Sequence, residues 1–282
     1  QLRSELRQKF VEKKHMPEMK EDKQPSDDAS AYPSQVKSPR HEVREGSVRS
    51  PEAAATETPK KRETRRQQSK PIDKTEPRTA DNWYEFAKLY QNQDKYPDAL
   101  RALQKTLELD PGKVDAQLRI GEVYIKQEKF TDAITWLNQV IAKNVDNAHA
   151  WYLLGVAHLE LGKYWDASKA LYESVKIDDG YIDAWAQLGI SLAKQDRHVQ
   201  AQKAFLRALK HKRKDPDLLY QFALSLRKEG NLSRAENVLR MAIGYRKDFA
   251  EAWNELGEIL ILLGKLDEGG RAKRKARSFK QV

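Results

Sequence analysis

Six histidines are the residues best suited to metal binding or acid–base work: His15, His41, His149, His158, His198 and His211. No two of them share the spacing that would put both imidazoles on one helix face. His41-Glu42 matches the first half of a zinc-protease motif, but the second histidine is absent. The chain has no cysteine, which removes disulfides, thiolate zinc sites and cysteine nucleophiles together. It has no Gly-rich phosphate loop and no nucleophile elbow. These residues support neither a catalytic centre, a metal site nor a cofactor site, so the sequence reads as non-enzymatic, with no cofactor.

What remains is modification and charge. Ser38-Pro39, Ser50-Pro51 and Thr58-Pro59 are Ser/Thr-Pro pairs, where phosphorylation would reverse the local charge. Pro59-Lys60-Lys61-Arg62, with Arg65 and Arg66, has the composition of a nuclear import signal, an acidic-surface contact or a solvated charge run. Lys210-His211-Lys212-Arg213-Lys214 could meet an acidic partner or anionic lipid, although a helix C-terminus favours cations in any case. Asn231-Leu232-Ser233 matches a glycosylation acceptor, and a turn asparagine is the simpler account.

The charge is unevenly distributed. The whole chain is +10. Residues 1–79 carry 19 Lys/Arg against 14 Asp/Glu, and residues 271–282 carry six Lys/Arg and no acid. Residues 80–270 are nearly neutral, with 27 against 28. Nucleic-acid or anionic-membrane binding would therefore act through the basic tails and not through a basic folded body.

The elements that position these residues repeat every 34 residues. Ala148 to Tyr181 reads as two amphipathic helices with a turn at Gly162 and Lys163. Stepping by 34, position four reads Trp83, Gln117, Trp151, Trp185, Leu219 and Trp253. Position eight is always small: Ala87, Gly121, Gly155, Gly189, Ala223 and Gly257. Position twenty reads Ala99, Ala133, Ala167, Ala201, Ala235 and Gly269. Position twenty-four reads Leu103, Leu137, Leu171, Phe205, Leu239 and Lys273. Small residues at eight and twenty predict close helix approach, with the large ones filling the space between. Position fifteen is Asp94, Glu128, Gly162, Asp196, Gly230 and Gly264, as a turn needing positive φ would favour.

This period and pattern resemble the tetratricopeptide repeat (TPR) family, from Thr79 onward. The resemblance implies an all-α fold, an α-solenoid of six helix-turn-helix repeats wound into a right-handed superhelix. Repeats start at 80, 114, 148, 182, 216 and 250, and the solenoid is assigned to 80–270. Asp81 is placed to cap the first helix. In repeat six, Gly269 and Lys273 depart from the pattern as a solvated end would, leaving Ala272, Ala276 and Phe279 as the inward contacts and 271–282 as a basic end. Residues 1–79 read as a disordered basic tail, too poor in apolar residues to offset ordering entropy. Leu2, Leu6 and Phe10 recur every four residues, compatible with a short helix over 2–14, juxtamembrane or docking, and equally with a fraying segment of the tail.

The resemblance further implies that the first helix of each pair lines a concave groove through positions two, five, six, nine, twelve and thirteen. Here the middle of that groove is apolar: Tyr152, Val156 and Leu159, then Ala186, Ile190 and Ala193, then Tyr220 and Leu224. Its ends are polar, with Asp81, Lys88, Gln91 and Asn92 at one and Glu251, Asn254, Glu255 and Glu258 at the other. Apolar side chains there predict a protein or peptide partner, helical or extended, and so a scaffold or adaptor. Self-association into a homo-oligomer is compatible with the same features. The carboxylate clamp of chaperone-binding members is not met, because its five positions hold Tyr84, Lys88, Arg119, His149 and Leu153. Nor is the asparagine ladder of the glycosyltransferase relatives, since position six is Glu85, Arg119, Leu153, Gln187, Gln221 and Glu255. Cysteine-free composition fits a cytoplasmic protein and equally an envelope protein. The start at Gln1 leaves room for an envelope assembly factor tethered to a membrane by an upstream segment.

Overall fold

The computed structural model describes residues 79–280, and the tail, with the helix expected over residues 2–14, lies outside the described residues. Among the described residues the chain forms twelve α-helices and no strand. They pair as α1 (Ala80–Asn92) with α2 (Tyr96–Leu109), α3 (Val114–Lys126) with α4 (Phe130–Lys143), and α5 (Ala148–Glu160) with α6 (Tyr164–Ile177). Then come α7 (Ile182–Ala193) with α8 (His198–Leu209), α9 (Pro216–Lys228) with α10 (Leu232–Tyr245), and α11 (Ala250–Leu262) with α12 (Leu266–Lys280). Each helix packs on the one before and the one after, giving an α-solenoid.

Local chemistry sets the helix ends. Thr79, with extended backbone, caps α1 by accepting a hydrogen bond from the Asn82 N–H at 3.2 Å. This corrects the assignment of the cap to Asp81. That residue already lies inside the first turn, and Lys113 binds its carboxylate from the far end of the repeat. Asn147 and Asp215 cap α5 and α9 in the same way, at 2.9 Å to Ala150 N–H and 3.1 Å to Leu218 N–H. Within each pair the inter-helix turn passes through one residue with φ between 55° and 79°. Gly162, Gly230 and Gly264 adopt this at little cost, whereas Asp94, Glu128 and Asp196 adopt it despite carrying a Cβ.

The small residue at position eight lies under the large one at position twenty-four. A Cβ on Gly155 would stand 2.5 Å from Leu171 Cγ, and one on Gly121 would stand 2.9 Å from Leu137. Ala87 and Ala223 hold the same place and are fully buried. In the last pair, a Cβ on Gly269 would be 2.9 Å from the Gly257 carbonyl oxygen, so α11 and α12 meet backbone to backbone. Gly269 is thus required by close approach and not by exposure. Lys273 lays its aliphatic stem over Gly257 in place of a leucine. Ala272 and Ala276 are buried, and Phe279 is half-buried beneath Lys275.

Successive repeats are tied by the tryptophans at position four. The indole N–H groups of Trp151, Trp185 and Trp253 donate to the carbonyl oxygens of Val145, Asp179 and Lys247 at 2.8–2.9 Å. Each indole fixes the loop that enters its own helix.

Candidate peptide-binding face

At 100° per residue, positions two, five, nine and twelve of the odd-numbered helices share one face, turned away from the even-numbered partner. Neighbouring first helices α3–α5, α5–α7 and α7–α9 touch one another, so these faces lie side by side. All eight predicted residues fall on this surface of α5, α7 and α9. Tyr152, Val156, Leu159, Ala186, Ile190, Ala193, Tyr220 and Leu224 are each half-buried. Their neighbours Leu154, Leu188 and Phe222, on the opposite face, are buried in the core. The surface is therefore an apolar strip in partial contact with solvent. Tyr152 also rests on the buried cluster of Leu153 and Leu154, which fixes its ring from below.

The strip holds two aromatic pairs. The Tyr152 and Tyr181 rings lie with centroids 4.8 Å apart, and those of Tyr220 and Phe249 lie 5.1 Å apart. His149 joins the first pair, 6.2 Å from each ring. Its Nε2 is 2.9 Å from Glu122 Oε1 and its Nδ1 is 2.7 Å from Tyr181 Oη. An ionised carboxylate only accepts, so Nε2 donates to Glu122; with the ring neutral, Nδ1 is the acceptor and the Tyr181 hydroxyl donates to it. Burial pushes the Glu122 carboxyl up, but the His149 hydrogen bond and the Arg119 charge outweigh it and hold the group below its ordinary value. The hydroxyls of Tyr152, Tyr181 and Tyr220 are all pushed up, first by burial and then by neighbouring groups that include Asp183 for the first two and Glu255 for the third.

The two ends of the strip are internally paired. At the first end, Arg119 donates to Gln91 Oε1 at 2.8 Å and to Tyr84 Oη at 3.3 Å, and Lys88 is 2.9 Å from Glu85. Asn92 is exposed. At the last end, Arg227 binds Glu255 and lies 3.0 Å from Glu258. Glu255 is only 8% exposed, so it is a buried ion-pair member and not the open rim group suggested by its position. Glu251 remains exposed, and Asn254 donates to Glu258 at 3.4 Å.

Glu122 and His149 stand at positions nine and two, both on the predicted groove face, but sequence periodicity does not single out Tyr181 or Phe249 as members of this surface. Tyr181 and Phe249 stand at position 34, just before the next helix, and fold back toward position five of their own repeat, 29 residues earlier. The signal available is the recurrence of an aromatic at 34 only where five is tyrosine. Among the described residues there is no group of three or more His, Asp or Glu arranged to hold a metal ion, and no helix is long and apolar enough to cross a membrane.

Comparison with known proteins follows the same lines. A family model described as the cilia and flagella-associated protein 70 C-terminal domain matches residues 28–281. No curated protein matches the chain. Among solved structures, MamA is 22% identical with a TM-score of 0.56, over 61% of this chain and 94% of that one. YrrB, described as a TPR protein with an unusual peptide-binding site, is 17% identical with a TM-score of 0.59, over 64% and 93%. A tetratricopeptide repeat protein from Parabacteroides merdae is 13% identical with a TM-score of 0.61, over 71% and 79%. At these identities the solved structures establish a common fold.

Proposed function

Because this chain belongs to the family of the cilia and flagella-associated protein 70 C-terminal domain, which is built of tetratricopeptide repeats, we propose that it is a non-enzymatic adaptor. It binds a helical or extended segment of a partner protein along the apolar strip of α5, α7 and α9. The observation that carries this reading is the half-burial of all eight strip residues, from Tyr152 to Leu224, beside a fully buried core on the opposite face of the same helices. Apolar surface of this kind is stabilised when a partner removes it from water, at about 25 cal/mol per Å². The peptide-binding site in the description of YrrB supports the same use of the fold. The family description supports cilia or flagella as the setting in which to seek the partner.

The test is capture on immobilised wild-type chain compared with the triple variant Val156→Asp, Ile190→Asp, Leu224→Asp. These side chains are half-buried, so the variant is first checked for an unchanged helical signal and a cooperative melt. Partners held by the wild type and lost by the folded variant support the strip. An unchanged set of partners contradicts it.

A further inference from the structure

The strip has a two-repeat pattern. Odd repeats carry a tyrosine at position five, facing residue 34 of the same repeat: Tyr84 with Lys113, Tyr152 with Tyr181, Tyr220 with Phe249. Even repeats have Leu118, Ala186 and Asn254 at position five. The chain thus presents three aromatic platforms, separated by repeats that offer none.

Two of the three platforms already hold a cation from the chain itself. Lys113, Arg119 and Lys88 lie 5.4, 5.5 and 5.8 Å from the centre of the Tyr84 ring. Arg246 lies 4.5 Å from the centre of the Phe249 ring. Among the described residues, neither Lys nor Arg stands over Tyr152 or Tyr181. Both rings are half-buried and reachable. The face of an aromatic ring is electron-rich and attracts a cation within about 6 Å.

Two acids lie beside the pair. Glu122 and Asp183 flank the pair, and both acids push the Tyr181 hydroxyl above its ordinary value, after burial and Tyr152. Each acid is already paired, Glu122 with His149 and Arg119 and Asp183 with Lys212. His149 is held in place by its two hydrogen bonds, to Glu122 and Tyr181.

We propose that the Tyr152–Tyr181 platform is the specificity site of the strip and receives one cationic side chain, arginine or lysine, of the bound segment. The proposal rests on the strip being a peptide site. Val156, Ile190 and Leu224 then take the apolar neighbours of that cation, and the partner motif is a single basic residue in an apolar stretch.

The test selects binders to the full chain from a library of random twelve-residue peptides. The best binder is then remade with its basic residue replaced by citrulline or norleucine. The expected result is a motif with one fixed Arg or Lys, and about fivefold weaker binding on neutral replacement. Tyr152→Leu and Tyr181→Leu should each abolish that difference, while Tyr181→Phe keeps it because the ring remains. The two leucine variants provide independent readings should one of them fail to fold. An apolar motif without a fixed cation, or a cation preference that survives both leucine variants, overturns the proposal and leaves the peptide site standing. No enriched peptide overturns the peptide site and the proposal together.

Discussion

A Cβ on Gly189 would stand 2.5 Å from the ring of Phe205. The two residues close α7 on α8, and the bulk of one depends on the absence of bulk in the other. The same junction uses Gly with Leu in repeats two and three, and Ala with Leu in repeats one and five. Phe205 is fully buried, so the ring has no open side toward which to retreat.

Gly189→Ala should therefore destabilise the protein by about 1–3 kcal/mol, as overpacking of a tight core does. Combining it with Phe205→Leu recreates the Ala–Leu junction of repeats one and five. The double variant should be more stable than the sum of the two single changes by roughly 1 kcal/mol or more. Urea unfolding of the four members of this cycle measures the coupling, and strict additivity would contradict the packing described.

Backbone conformation makes a separate prediction at the inter-helix turns. Gly162 has φ of 70°, and a Cβ added there would meet nothing closer than 4.0 Å, so Gly162→Ala tests strain without collision. It should cost about 1 kcal/mol. Glu128, at φ of 59°, should gain a few tenths of a kcal/mol or more as Glu128→Gly. Thermal midpoints that move in the same direction for both would contradict this account.

Repeats five and six are joined through a buried acid. Glu236, 7% exposed, is 2.9 Å from Arg240 and 2.8 Å from Lys265, and Arg240 reaches on to Glu268 at 2.8 Å. Burial pushes the Glu236 carboxyl up, but the hydrogen bonds from Lys265 and Arg240 outweigh it and leave it below the ordinary carboxylate value of 4.5. A depressed carboxyl stabilises the fold above its unfolded value and loses that contribution as pH falls through the folded value. Glu236→Gln should thus be less stable than wild type by about 2 kcal/mol at pH 7. The gap should narrow as pH falls below 4.5, as urea midpoints from pH 7 to 3 would show. A gap independent of pH would contradict an ionised Glu236.

The indole ties between repeats are individually testable. Trp151→Phe keeps an aromatic ring and removes the 2.8 Å hydrogen bond to the Val145 carbonyl. A loss of about 1 kcal/mol is expected, with faster amide exchange in the loop before α5. Unchanged exchange there would contradict the tie.

The period of 34 and the small–large pairing of Gly155 with Leu171 were legible in sequence because they depend on residue size, which the letters carry. The α1 cap was misplaced because Thr79 and Asp81 are both capping residues two positions apart, and only the extended backbone at Thr79 distinguishes them. The apolar strip could be enumerated from helix periodicity, but its chemistry could not. Glu255 reads as a surface acid, yet Arg227, 28 residues away, draws it into a buried pair. Tyr181 reads as a loop residue, yet its ring packs on Tyr152 and its hydroxyl is hydrogen-bonded to His149, 32 residues away. Contacts between segments distant in sequence depend on side-chain direction and reach, which periodicity does not encode.

The most direct test of the peptide-binding strip is site-specific photo-crosslinking in the native cells. A benzophenone amino acid replaces Ile190, at the centre of the strip, and in a second protein replaces Lys169, exposed on α6. Mass spectrometry then maps each adduct. The strip predicts one defined partner segment joined at Ile190 and not at Lys169. No adduct at Ile190, or the same adducts from both positions, would contradict it.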